Sequence, residues 1–234
     1  MNRFTIGGLQ KISLIDYPRT PAAIVFTQGC NFRCGYCHNP ELTCLGQSEG
    51  IMSEEALYTF LSSRVGLLQG VVISGGEPTL QPRLISVMKW IKEMGFLVKL
   101  DSNGSNPEVL ERAYQEGCVD YVAMDIKAPM SKYRDISRYG GLIERIKTSQ
   151  QIIMDSGIEY EFRTTIVREQ LSLDDIYQIG REIEGAKMYA LQQFIPTEMV
   201  DNTFQKYQGY STGSLEEIRS TLEGDWVRRC IVRQ

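Results

Sequence analysis

Three cysteines within eight residues are the part of this chain best suited to chemistry. Cys30, Cys34 and Cys37 stand in TQGCNFRCGYCHNP with C-x3-C-x2-C spacing, beside His38, the only histidine. Thiolates are soft ligands that select zinc, copper(I) or iron–sulfur clusters. Three are an odd number for disulfides and one short of the closed tetrahedral set of structural zinc. A [4Fe–4S] cluster held by three thiolates keeps one iron open to a substrate or cofactor. Cys44 follows seven residues after Cys37, so a four-cysteine set stays open on counting alone. Cys118 and Cys230 lie far away and read as structural thiols. His38 directly follows a candidate ligand and is poorly placed to reach the same metal, so hydrogen bonding beside it suits it better.

A second candidate is SGGEPTLQP at 74–82. Gly75 and Gly76 allow a backbone to approach a ligand closely, and Glu77 offers an anion to an ammonium. Taken alone, GGEP is a strand-to-loop turn. Further polar residues recur in DSNG (Asp101, Asn103), DIK (Asp125, Lys127), FRTT (Arg163) and LQQF (Gln192, Gln193).

The elements that must position these groups are short apolar runs alternating with amphipathic stretches. Strands are expected over 22–28, 70–76, 96–104, 119–127, 158–167 and 187–195. Helices are expected over 53–64, 82–94, 107–116, 139–155 and 173–184. Ser53 is the first helix's N-cap, with Glu54 and Glu55 in its first turn, and Gly95 and Gly157 stop two others. Continuous apolar strands fit a parallel sheet buried on both faces. Alternating right-handed units give a doubly wound sheet or a barrel. Six units fit an open, partial (βα)6 parallel-stranded barrel of the α/β class. In either architecture chemistry gathers at the carboxyl ends of the strands. The cysteine loop, SGGEP, DSNG, DIK, FRTT and QQ all fall there. Asp101 and Asp125 end neighbouring strands, and two carboxylates that close raise one pKa unless a cation intervenes.

The 234 residues are 42% hydrophobic and 23% charged, with a net charge of -4. That composition suits one globular domain over 1–234, with no basic field for nucleic acid. No apolar run approaches the roughly 20 residues of a membrane span. The N-terminus lacks a signal-peptide core, which predicts a cytoplasmic protein with reduced thiols. There a cysteine cluster reads as metal binding or catalysis.

The cysteine loop with Tyr36 before its last cysteine, followed one unit later by SGGEP, resembles the radical S-adenosylmethionine (radical SAM) superfamily. With LDSNG and MDIK added, the chain resembles the activating enzymes of glycyl radical enzymes. The form it resembles serves anaerobic ribonucleoside-triphosphate reductase and carries an N-terminal GGLQKISLIDYPR. The resemblance covers nearly the whole chain and is densest at 6–43 and 71–127.

It implies a cluster with three irons on Cys30, Cys34 and Cys37, and S-adenosylmethionine (SAM) on the fourth. It implies cofactor contacts from Tyr36, Gly75, Gly76, Glu77, Asp101, Asn103, Asp125, Lys127 and Arg163, with Lys127 meeting the SAM carboxylate. A monovalent cation is a further candidate between Asp101 and Asp125; ordinary strand-end charges are the plain alternative. Related enzymes place a histidine near the last strand; here Gln192 or Gln193 stands in its place. Phe32 packs over the cofactor or merely in the core. The implied partners are a glycyl radical enzyme and a flavodoxin- or ferredoxin-type reductant, with no nucleic acid and no membrane. Residues 1–20, with Asp16–Arg19, are expected to cover the site or meet the partner, and 196–234 form a C-terminal extension. Rival readings are a short radical SAM enzyme acting on a small molecule, such as a deazaguanine synthase, or a non-catalytic iron–sulfur or zinc module.

Overall fold

A computed structural model describes residues 3–44 and 52–233; the remainder of the expected 1–234 domain lies outside the described residues. Eight strands form one sheet: β1 (Ile6–Ser13), β2 (Ala22–Thr27), β3 (Gly70–Gly75), β4 (Leu97–Ser102), β5 (Tyr121–Asp125), β6 (Glu159–Ile166), β7 (Tyr189–Gln193) and β8 (Cys230–Arg233). Their spatial order is their chain order. β1 is antiparallel to β2, and every other neighbouring pair is parallel. The helices are α1 (Glu54–Ser62), α2 (Leu84–Glu93), α3 (Pro107–Gln115), α4 (Tyr133–Ser137), α5 (Glu144–Asp155), α6 (Leu173–Glu182) and α7 (Thr212–Asp225).

Strand order decides between the two architectures left open above. A doubly wound sheet reverses direction at a switch point. Here no reversal occurs, so right-handed crossovers lay the helices on one face, the winding of a barrel. β1 and β8 stand at opposite edges, so the sheet is open, as six units implied. Each edge extends the expected six strands by one.

Local sequence explains most elements. Ser53 Oγ accepts from Ala56 N at the start of α1. Ser172 and Asp175 form a capping box at the start of α6. The helix expected over 139–155 starts later, as α5 at Glu144, and the short α4 precedes it. Arg138, which caps α4, lies in the left-handed region at φ 52, and Gly140–Gly141 stand between the two helices.

Period-two alternation gives the sheet two different faces. Val98, Leu100, Met124 and Phe162 pack in the large core under the helices. On the opposite face Tyr17, Ala22, Ile24 and Val72 form a separate apolar plug, with Tyr121 5.9 Å from Tyr17. A side chain at Gly70, the first residue of β3, would abut Tyr17. The segment Asp16–Arg19 therefore lies at the amino ends of the strands, away from the cysteine loop, and does not cover it. Residues 196–211 reach that loop instead. Asp201 N donates to Gly35 O at 3.1 Å, and the Phe204 ring lies 6.2 Å from Tyr36.

Candidate active site

The cysteine loop leaves β2 through Gly29, whose φ is 97. It is tied down by backbone bonds from Gly29 N to Leu42 O (2.7 Å) and Cys30 N to Thr43 O (3.2 Å). Arg33 Nη1 donates to the carbonyls of Cys30 and Phe32 at 2.6 and 2.7 Å, closing the loop from within. His38 Nε2 lies 3.0 Å from the Ile195 carbonyl, and its ring stacks on Phe194. The histidine thus pins the loop to the end of β7. Phe32 is buried against Tyr133 and Tyr139 and also lines the cavity that the three cysteines share.

Cys30, Cys34 and Cys37 line one cavity of about 290 Å³. Residues from the carboxyl ends of five further strands, β3 to β7, line its other walls, among them Gly75, Gly76, Glu77, Asp101, Asn103, Asp125, Lys127, Arg163 and Gln192. Every residue expected to contact the cofactor, Tyr36 included, reaches this space. Gln193 points the other way by alternation and donates to the Tyr210 carbonyl at 2.7 Å. Cys44 is exposed, and its carbonyl accepts from Gln28. Cys118 bonds the Ala113 carbonyl, and Cys230 begins the far strand β8.

Among the described residues no three His, Cys, Asp or Glu side chains form a ready site for one metal ion. The donor set fits a wider group. A cubane takes each thiolate on a different iron, and three soft ligands around one cavity suit that chemistry. Cys30 Sγ receives Phe32 N at 3.4 Å and Asn103 Nδ2 at 3.9 Å, donors that would favour a thiolate. Tyr36 Oη is buried without a formed hydrogen bond, although it interacts with the Cys34 thiol. A thiolate at Cys34 would give that hydroxyl its acceptor. Burial, with Glu77 nearby, pushes the Cys30 thiol up to about 12. Burial also raises Cys34, against the pull of Lys127. Metal binding must therefore displace protons from this loop.

The two glycines of SGGEP serve the loop's packing. At φ 114, Gly75 lies where a Cβ would stand 2.3 Å from Thr27 N. A Cβ on Gly76 would stand 2.2 Å from Gly29 O. Only bare backbone lets β3 close against the cysteine loop, with Glu77 N donating to Gly29 O at 2.7 Å. Glu77 itself is fully buried. Its Oε1 accepts from Thr79 N, Thr79 Oγ1 and Ser102 Oγ, and its Oε2 from Asn103 N at 2.6 Å. Burial raises its pKa, and those four donors pull it back. The carboxylate is thus a strut between the ends of β3 and β4.

Asp101 and Asp125 are bridged by Arg163. Its Nη1 lies 3.1 Å from Asp101 Oδ2 and its Nε 2.7 Å from Asp125 Oδ1. Lys99 pairs with Asp101, and Lys127 Nζ lies 3.2 Å from Asp125 Oδ2 and 5.9 Å from the Tyr36 ring centre. Burial alone would raise both aspartates; Arg163, with Lys99 for one and Lys127 for the other, holds them below the usual carboxylate range. Sequence reasoning missed Lys99, Ser74 and Thr165. Ser74 Oγ donates to Asp101, and Thr165 lines the cavity. The signal was present: Lys99 lies two residues before Asp101 on the same face of β4, Ser74 directly precedes Gly75, and Thr165 is in register with Gln192.

The sequence model of the radical SAM superfamily matches residues 24–181. A Methanocaldococcus jannaschii protein, named for the glycyl-radical enzyme activating enzymes, is 35% identical over 91% of this chain and 89% of its own length. The pyruvate formate-lyase-activating enzyme of Clostridium pasteurianum is 34% identical over 52% of each chain. Among solved structures, Streptococcus suis SuiB bound to S-adenosylmethionine superposes with a TM-score of 0.66 at 12% identity, over 88% of this chain and 48% of that one. Escherichia coli QueE superposes at 0.55 and 16% identity, over 100% and 93%. These two show the same fold. By the superfamily match and the M. jannaschii relative, the chain belongs to the radical SAM superfamily, among its glycyl-radical enzyme activating enzymes.

Proposed function

We propose that this chain generates the stored glycyl radical of a large partner enzyme, with a [4Fe–4S] cluster on Cys30, Cys34 and Cys37 and SAM in the adjoining cavity. One observation carries the reading. Three thiols from the loop after β2 and the polar ends of the next five parallel strands share a single cavity of about 290 Å³. When bound, the cluster supplies the electron that splits the sulfonium of SAM, and SAM supplies the 5′-deoxyadenosyl radical that takes hydrogen from a glycine Cα.

The chain's own residues bind, orient and shield. Asn103 and the Phe32 amide donate to Cys30. Lys127 and Arg163 give the cavity a cationic wall suited to the SAM carboxylate. The turn around Glu77, one strand away from that wall, receives its amino group. Gln192 faces the cavity as the hydrogen bonder for the ribose. Phe204, packed against Gly35, keeps water from the back of the cysteine loop.

The partner in this reading is anaerobic ribonucleoside-triphosphate reductase. Its support is the GGLQKISLIDYPR resemblance; the near full-length likeness to the M. jannaschii relative supports a glycyl radical enzyme as the partner without naming which. The reductant is a flavodoxin- or ferredoxin-type carrier, and the compartment is the cytoplasm, where thiols stay reduced.

The test is anaerobic. The protein is reconstituted with iron and sulfide, then mixed with SAM, reductant and the reductase. Electron paramagnetic resonance should reveal a protein-based glycyl radical, and 5′-deoxyadenosine should accumulate in step. An intact cluster that cleaves SAM but produces no radical on any glycyl radical enzyme of the host would sink the activase reading.

A further inference from the structure

Lys99 sits beneath the site and does not line the cavity. Its side chain is 1% exposed, and a charge so placed is costly unless paired. Its partner is Asp101 Oδ1, and its ammonium lies 5.9 Å from the Tyr121 ring centre, at the edge of the apolar plug. The other Asp101 oxygen receives Arg163 and Ser74. Arg163 passes to Asp125, and Asp125 to Lys127. The inner face therefore carries an alternating chain: Lys99, Asp101, Arg163, Asp125, Lys127. Three cations face two anions, and the chain ends in a lysine at the cavity wall. Nearby Glu161 is closed by a two-pronged pair with Arg233 and adds no net charge. Glu77, across β4, is bonded by its four donors and by no cation.

We propose that Lys99 is a positioning residue that supplies the surplus positive charge of the cavity wall formed by β4, β5 and β6. By neutralising Asp101 from below, it leaves Arg163 and Lys127 together one charge ahead of Asp125. That surplus attracts the carboxylate of the bound amino-acid group, and Lys99 never touches it. Without Lys99 the two remaining cations would be cancelled by the two aspartates. The same argument assigns the counter-charge of Asp101 to the chain itself, not to an exchangeable monovalent cation. This inference rests on SAM occupying the cavity.

The experiment measures SAM binding to the reconstituted protein by equilibrium dialysis, with KM and kcat for 5′-deoxyadenosine release alongside. Lys99→Met should raise the dissociation constant and KM about tenfold and leave kcat within about twofold, the scale of one charge some 10 Å away at an effective dielectric of about 20. Lys99→Arg should bind as the wild type does. The double variant K99M/D101N restores the surplus and should recover wild-type affinity to within about threefold. An unchanged affinity in K99M, in sodium, potassium or choline buffers, overturns the proposal. So does a double variant no tighter than K99M, because Lys99 would then act by packing alone. Should K99M fail to fold, Asp101→Asn reads the same balance from the other side. It should bind SAM more tightly, and equal or weaker binding counts against the inference. A wild-type protein that holds its cluster but binds no SAM overturns the functional reading itself, and this proposal with it.

Discussion

Glu77 is the residue whose sequence context suggests a ligand contact and whose surroundings make it a strut. Four donors converge on it, from Thr79, Ser102 and Asn103. In Glu77→Gln the new amide group must face one of those donors. The expected cost is about 2 kcal/mol, from a lost charge-assisted bond and an unpaired buried donor, measured by chemical denaturation of the cluster-free protein. Asp101 and Asp125 supply a pH test. Their folded pKa values lie below the unfolded ones, so the folded state binds fewer protons and stability rises with pH through that window. Their contribution is present above the ordinary carboxylate value of about 4 and is lost as pH falls below it. Arg163→Met should flatten the acid side of a Tm-against-pH curve; an unchanged acid limb would show that the bridge does not hold these carboxylates ionised. At this scale the thiols were legible because their spacing, followed one unit later by SGGEP, set the loop apart from a disulfide or a structural zinc site. Glu77 was half legible, since two of its donors come from the end of β4 and the residue after it, about 25 residues away.

Backbone meets backbone where β3 closes on the cysteine loop. Gly76→Ala would drive a methyl into the Gly29 carbonyl, backbone against backbone. It should cost about 3 kcal/mol and impair cluster retention, read as iron and sulfide per chain after reconstitution. Phe204 clamps the same loop from the other side through contacts with Tyr36, Phe194 and Tyr207. Phe204→Ala removes a buried ring, at about 3 kcal/mol of local stability. Proteolysis within 196–211 and oxygen bleaching of the cluster should both accelerate; unaltered bleaching would deny this segment a shielding role. The six central strands were readable as apolar runs bounded by glycine and polar residues. β8 was not, because CIVR is four residues long and owes its extended shape to pairing with β7. β1 hid likewise behind its glycines and polar residues.

Across the whole molecule, stability and chemistry occupy opposite ends of the sheet. Tyr17 packs with Ala22, Ile24 and Val72 at the amino ends, and the thiols open at the carboxyl ends. Tyr17→Ala should lower global stability by about 3 kcal/mol and leave the KM for SAM unchanged below its melting temperature. A raised KM would mean the plug is coupled to the site. Taken alone, the sequence determined the ligand chemistry, the alternation of strands and helices, and the placing of polar motifs at strand ends, because these depend on residue type and short spacing. The tertiary structure decided what depends on neighbours distant in the chain. It placed Asp16–Arg19 under the sheet and 196–211 beside the cysteine loop. It turned Gln192 toward the cavity and Gln193 away. It also joined Lys99, Asp101, Arg163, Asp125 and Lys127 into one line of charge, since three parallel strands in register bring together residues that the sequence keeps up to 64 positions apart.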